Sequence, residues 1–204
     1  SQLHKGDLII KGNEVFVIKN SMYVQNGNIV VKDNAVLIID HATLVISQTA
    51  HYQHNITIRD HGKLKIIHAK ITPPSDNYKI YTVYLLDFAQ IEIIGSSVTG
   101  AEGHCYGNST FSATDSKWPD GGGSWIVFHD YSFLNASYSS LDLGFYNSSS
   151  ARIENCDYSI PHAHLISIRC DGNSSVSIKN SNVEVFATGF SSVFITNSSI
   201  LEIY

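Results

Sequence analysis

The chain is predicted to be all-β, a parallel β-helix solenoid of about eight coils with one long loop excursion. The main observation is a ten-residue pattern that returns eight times in the 204 residues. Its first positions are small or polar: Asn13, Ala35, Gly62, Ala89, Ser132, Ala151, Ser174 and Ser191. Two residues on stand Val15, Leu37, Leu64, Ile91, Leu134, Ile153, Val176 and Val193. Four residues on stand Val17, Ile39, Ile66, Ile93, Ala136, Asn155, Ile178 and Ile195, with Asn155 the one misfit. Position nine is apolar again: Met22, Leu44, Ile71, Val98, Leu141, Ile160, Val183 and Ile200. Alternation with period two marks a strand with one buried face, and the break before position nine marks a corner. Such a unit cannot bury its own apolar face and must stack on copies of itself.

A third strand precedes most units. It is read from the pairs Ile29 and Val31, Ile56 and Ile58, Val83 and Leu85, Ile126 and Phe128, and more weakly Val185 and Ala187. The units are spaced by 22, 27, 27, 43, 19, 23 and 17 residues, so insertions vary while the pattern holds. An antiparallel sandwich also has short alternating strands, but nothing in it would preserve one register through eight units. The widest gap holds TGAEGHCYGNSTFSATDSKWPDGGGS, residues 99–124, which is read as a strandless excursion from a single domain spanning 1–204. A glycine-rich flap covering a face or meeting a partner is the preferred reading of this loop.

Composition excludes several functions. The formal charge is −5 with no basic run, so no nucleic-acid groove is expected. No stretch of 18 apolar residues occurs, so no membrane-spanning helix is expected. Six Asn-x-Ser/Thr sequons, at Asn55, Asn108, Asn135, Asn147, Asn173 and Asn197, exceed the roughly two or three that chance gives. They point to N-linked glycans on an exported chain, and Asn135 and Asn197 are expected to face solvent and carry them. Asn and Ser also suit solenoid corners, where Asn180 and Asn197 would stack as a ladder. Residue 1 is Ser rather than Met, which fits removal of an export signal and equally fits a trimmed chain; a secreted, extracellular or cell-surface protein is expected. Cys156 and Cys170 fall in neighbouring turns and are disulfide candidates, with Cys105 left over; three separate buried thiols are the alternative.

Candidate chemistry is sparse. Glu102, His104, Asp115, Asp120 and Asp130 lie in or beside the excursion, but they lack the spacing of a calcium loop. Ten histidines include His51, His54, His61, His162 and His164, and His41 and His68 are expected to stack in adjacent coils. An exposed polar ladder is preferred there over a metal site, because no third ligand is evident. Tyr106, Trp118 and Trp125 are candidates for stacking on sugars, although Trp125 is expected to start a strand and pack inward.

With its coils set out, the chain resembles the right-handed parallel β-helix superfamily of pectate lyases, polygalacturonases and phage tailspikes. The resemblance rests on the coil pattern over nearly the whole chain and implies fold, not activity. Polygalacturonase-like members carry Asn-x-Asp, Asp-Asp, Gly-His-Gly and Arg-x-Lys motifs. This chain has no Asp-Asp pair and no Arg-x-Lys, and Gly103-His104-Cys105 lacks the second glycine. The only arginines are Arg59, Arg152 and Arg169, with no lyase-like calcium cluster beside them. No catalytic set, cofactor or metal is therefore assigned.

The expected function is that of a non-catalytic extracellular structural protein, a glycosylated subunit forming a filament with copies of itself. Leu8, Ile9 and Ile10 within residues 1–10 are read as a pairing strand. At the other end Val193, Ile195, Ile200, Ile203 and Tyr204 are read as an uncovered apolar surface, giving a head-to-tail contact that propagates. The alternative is a carbohydrate-active enzyme or carbohydrate-binding module on the same scaffold.

Overall fold

A computed structural model describes residues 1–118, 125–156 and 167–203. Among these residues there is no helix, and every strand pair is parallel. The strands form three sheets of seven, ten and nine strands, wound into a solenoid of about eight turns. Each coil adds one short strand to each sheet in turn, as in Asn55–Ile58, Lys63–Ile67 and Lys70–Thr72.

Backbone pairing places like on like. Leu37, Leu64 and Ile91 lie in one register and Ile39, Ile66 and Ile93 in the next, all buried. The anticipated third strands form the ten-stranded sheet, with Ile29, Val31, Ile56, Ile58, Val83 and Leu85 all turned inward. The first position of each unit is small because the corner there touches the coil before it. A Cβ on Gly62 would lie 2.7 Å from the Val31 carbonyl oxygen.

Two corners recur, each with a left-handed residue. One carries Asn20, His41, His68, Gly95, Asp115, Tyr138, Asn155, Asn180 and Asn197, with φ between 46° and 55°. The next residue along this corner builds a hydroxyl ladder. Ser96, Ser116, Ser139, Ser181 and Ser198 each donate to the carbonyl two residues earlier, at 2.6–2.8 Å. Each oxygen also accepts an N–H from the preceding coil, so both capacities of the buried group are used. Cys156 replaces serine in this series, its sulfur accepting the Ser139 N–H at 3.5 Å. At the other corner Asp33, Asp60, Asp87 and Asp130 have φ of 56–58°, and their carboxylates accept N–H bonds from the preceding coil's turn.

In the course of the chain through its coils, the structure corrects the sequence reading at four points. Residues 99–118 are not an excursion but a further coil, with strands Ala101–Cys105, Thr110–Thr114 and Lys117–Trp118. Its unit starts at Ser109 and buries Phe111, Ala113 and Trp118. The disguise is a volume exchange. Phe111 and Trp118 pack edge to face at 5.6 Å, and a Cβ on Gly103 would come within 3.3 Å of both Trp118 and Ile126. Small residues thus stand where large ones were sought, and large ones fill the space they vacate.

The second correction concerns the first unit, which starts one residue later than anticipated. Phe16, Ile18 and Tyr23 pack inward while Val15, Val17 and Met22 are exposed, since a one-residue slip reverses both faces of a strand. The third is that the unit assigned to Ala151 starts at Ser149, which places the misfit Asn155 at the left-handed corner where φ is 54°. Ile160, read into that unit, lies outside the described residues. Last, Trp125 does not pack inward: it is 40% exposed and precedes the strand Ile126–Phe128.

Ile66 sits in the middle of an inward stack and is fully buried. Its truncation to Ala is expected to destabilise the protein by about 2–5 kcal/mol in a urea titration, through the cavity it leaves.

Candidate functional site

The residue types capable of recognition concentrate on the outer face of the ten-stranded sheet. Strand alternation turns Tyr84 and His104 outward, between the inward Val83, Leu85, Gly103 and Cys105. Pairing places Tyr84 directly beside His104, with ring centroids 5.7 Å apart. Beyond these strands the corner residues Tyr106, His129 and Tyr146 occupy the same position in three successive coils, each held by an N–H bond to the coil before. Their rings form a near-parallel stack. Tyr106 and His129 are 4.7 Å apart at 4°, and His129 and Tyr146 are 5.3 Å apart at 18°. His104 links the two groups, 6.5 Å from Tyr106. Gly144 leaves room for the last ring, since a Cβ there would stand 3.2 Å from Tyr146.

A carboxylate borders the stack. Glu102 projects from the strand of His104, its Oε2 3.8 Å from His104 Nε2. The phenol of Tyr52 donates to Glu102 Oε1 at 2.7 Å. Tyr52 reaches it from residues 47–54, a loop zipped to residues 73–80 of the next coil. Buried Gln48 donates to the carbonyls of Lys79 and Ile80 at 3.0 and 2.8 Å, and its Oε1 accepts the His54 N–H at 2.9 Å. Asn77 donates back to the Gln48 carbonyl at 2.9 Å, and the Tyr52 N–H donates to Ile80 O at 2.6 Å. These bonds hold the phenol over the sheet edge from a position 50 residues away in sequence.

The stack alters its own acidities. The hydrogen bond to Glu102, then burial, raises the Tyr52 phenol above its usual value. Burial raises Tyr106 in the same way. His129 is lowered chiefly by burial and further by nearby His104, against an opposing pull from Asp130. The neutral imidazole is thus favoured between its two phenol neighbours.

The other anticipated site residues are dispersed. Asn108, Asn135, Asn147, Asn173 and Asn197 are exposed; Asn55 is half-buried, its Oδ1 accepting the Thr57 hydroxyl at 3.0 Å. Cys105, Cys156 and Cys170 are buried free thiols, so the Cys156–Cys170 pairing is not made and the alternative of separate thiols describes the structure. Burial pushes Cys170 up to about 11. Trp118 is buried and donates its indole N–H to Ala101 O at 3.2 Å, which removes it as a sugar-stacking residue. Asp115 occupies the opposite corner from the aromatic stack, and the described residues include no group of three metal-ligating side chains. His41 and His68 are neighbours in adjacent coils, with ring centroids 5.1 Å apart and planes tilted by 48°, in a shallow groove of about 790 Å³, and Asp40 bridges His41 and Lys19 at 2.6 and 2.9 Å. Leu8 is half-buried, Ile9 exposed and Ile10 buried, while Val193 is half-buried and Ile195 is 36% exposed. Ile200 and Ile203 belong to the strand Ser199–Ile203, but their side chains lie outside the described residues, as do Tyr204, Asp120, His162 and His164.

Tyr52, Tyr84, His129 and Tyr146 were not singled out from sequence. A signal for three of them exists. Tyr106, His129 and Tyr146 stand three residues before Ser109, Ser132 and Ser149, and Tyr84 and His104 stand five before Ala89 and Ser109. The alignment is visible only once the hidden coil and the corrected sixth unit are in register. No signal marks Tyr52.

Compared with known proteins, the chain matches no family model, no curated protein and no solved structure.

His129 is expected to titrate below the ordinary histidine value of 6.5 in an NMR pH series, and to return toward it in Tyr106→Ala. A lowered folded-state value means that the unfolded chain takes up this proton first. The His129 contribution therefore erodes stability as pH falls below about 6.5. A His129→Gln variant should lose less stability than the wild type over that range.

Proposed function

We propose that the outer face of the ten-stranded sheet binds an extended, neutral carbohydrate chain lying along the solenoid axis, and that the protein works outside the cell. The observation that carries this reading is the ring series Tyr84, His104, Tyr106, His129 and Tyr146, bordered by Glu102, Tyr52 and the exposed Trp125. Rings stacked on each other use up their faces and leave edges, phenols and imidazoles for hydrogen bonding. Exposed Trp125 adds an apolar ring face with a polar N–H, a combination suited to a sugar. The coil repeat of about 4.8 Å is close to the length of one sugar ring in an extended chain, so consecutive rings can meet equivalent groups. Glu102 and Asp130 accept hydrogen bonds from hydroxyls and repel carboxylates, which favours neutral chains over polyuronates. Membership of the pectin-lyase-like superfamily is proposed on the same footing, from the three-sheet parallel coil. Calorimetric titration with neutral and uronate polysaccharides tests the binding. Tyr106→Ala and His129→Ala are each expected to weaken neutral-chain binding about tenfold or more, or about 1.4 kcal/mol, without loss of β-structure. Wild-type protein that binds no neutral chain, or variants that bind equally well, would overturn the reading.

A second reading, end-to-end association of a glycosylated structural subunit, is favoured by the outermost coils. Strands Gln2–Lys5, Leu8–Ile10 and Val15–Lys19 pair on one side only, and Leu3, Ile9 and Val15 are 53–61% exposed. At the far end Ser192–Thr196 pairs on one side only, with Phe194 61% exposed. Sedimentation should show mass growing with concentration, and an added charge at Ile195 should suppress it. A concentration-independent monomer would end this reading.

A further inference from the structure

Along the corner between the ten- and nine-stranded sheets one turn position repeats in eight coils. It is held by N–H bonds from Asn34, His61, Phe88, Asn108, Tyr131, Ser148, Asn173 and Phe190, each to the carbonyl of the previous coil's turn. Phe88, Tyr131 and Phe190 are 53%, 69% and 87% exposed. Large apolar rings standing this far into water in one file call for something to cover them. The residue between Phe88 and Tyr131 is Asn108, itself exposed and the first residue of the sequon Asn108-Ser109-Thr110. At about 4.8 Å per coil, one ring lies a coil before Asn108 and the other a coil after it. One face of Phe88 is taken by His61, stacked at 5.2 Å and 13°. The other face looks along the file toward Asn108.

We infer that Asn108 is an N-glycosylation site whose first sugar lies between Phe88 and Tyr131 and covers both rings. The carbon-bound face of a pyranose is apolar, and burying it against the rings removes apolar surface of both from water. In the modification the Asn108 carboxamide nitrogen displaces a lipid diphosphate from C1 of a donor oligosaccharide. The N–C bond forms as the C–O bond breaks, and one amide proton is lost. Asn173 is a weaker version of the same arrangement, with Phe190 in the coil after it but Ser148 in place of a ring near the preceding coil. The other sequons have no ring in these positions. Asn135 pairs across to Ser112 and Arg152, and Asn55 to Thr82. Asn197 follows Asn180 along the opposite corner. The inference does not depend on the carbohydrate-binding reading, because this file lies outside the Tyr106–His129–Tyr146 stack and the sugar is the protein's own.

The test is secretion of the chain from a eukaryotic cell, glycopeptide mass spectrometry, and melting temperatures of the glycosylated protein, Asn108→Gln, Phe88→Ser/Tyr131→Ser, and the triple variant. Asn108 is expected to be occupied, and loss of its glycan in Asn108→Gln should lower the melting temperature by about 2–4 °C. In the Phe88→Ser/Tyr131→Ser background the same substitution should have no effect. Trimming the glycan to its first sugar should leave the wild-type melting temperature in place. An unoccupied Asn108, an unchanged melting temperature in Asn108→Gln, or a glycan effect that persists without the two rings would each overturn the inference.

Discussion

Parallel pairing between coils is the constraint on which the rest of the molecule depends. Each strand bonds to the equivalent strand one coil away, so a residue's neighbours are set by its position in the repeat. The core follows: an apolar residue at an inward position meets an apolar residue above and below it. The corners follow as well, because a chain that must turn at the same place in every coil needs a left-handed residue at that place. Asn and Asp meet that need at modest cost, and their side chains bond nearby backbone. Where His41, His68 and Tyr138 take the position instead, the same backbone geometry is imposed on side chains that rarely adopt it.

The constraint also explains why polar groups can be buried here. A lone serine in an apolar interior leaves its hydroxyl to be satisfied, but stacked serines have a carbonyl in their own coil and an N–H in the preceding one. Ser96, Ser116 and Ser139 each use both. Cys156 enters the series with longer bonds and retains the shape, as a small group with a weak donor and acceptor can. Packing is less strict about which residue is large. Around Gly103 and Ala113 the volume missing from two positions is supplied by Trp118 and Phe111 in the same coil, so the coil keeps its diameter.

On the outer faces the same stacking produces recognition surfaces. Tyr106, His129 and Tyr146 came to share one stack because they share one offset from the repeat, and the sheet carries them into face-to-face contact. The file of Phe88, Asn108 and Tyr131 arises in the same way at the neighbouring turn position. A solenoid thus turns a sequence offset into a linear array along its axis, which suits ligands that are themselves linear. Insertions break this regularity, and the loop carrying Tyr52 shows what they add. It places a single phenol against Glu102 and closes one side of the array.

The sequence by itself determined the coil: alternation with a corner, small residues where the backbone folds over, and apolar residues at three inward positions. These are local consequences of a repeated environment, so Leu37, Ile66 and Ile93 could be assigned their stacks from spacing alone. Only the tertiary structure decided the register where the local signal was ambiguous. Val15-Phe16-Val17-Ile18 is apolar on both faces, and only pairing with Val36–Asp40 selects Phe16 and Ile18 for the interior. The coil at 101–118 hid its apolar pattern because its volume balance is shared among Gly103, Phe111, Ala113 and Trp118, a property of the coil and not of any one position. The candidate site was legible only in part. His104, Glu102 and Tyr106 stood out in a segment read as a loop, whereas the partners that give them a role come from other coils. Tyr52, 50 residues from Glu102, is brought to it by loop-to-loop hydrogen bonds that carry no periodicity, and a repeat pattern records nothing about them.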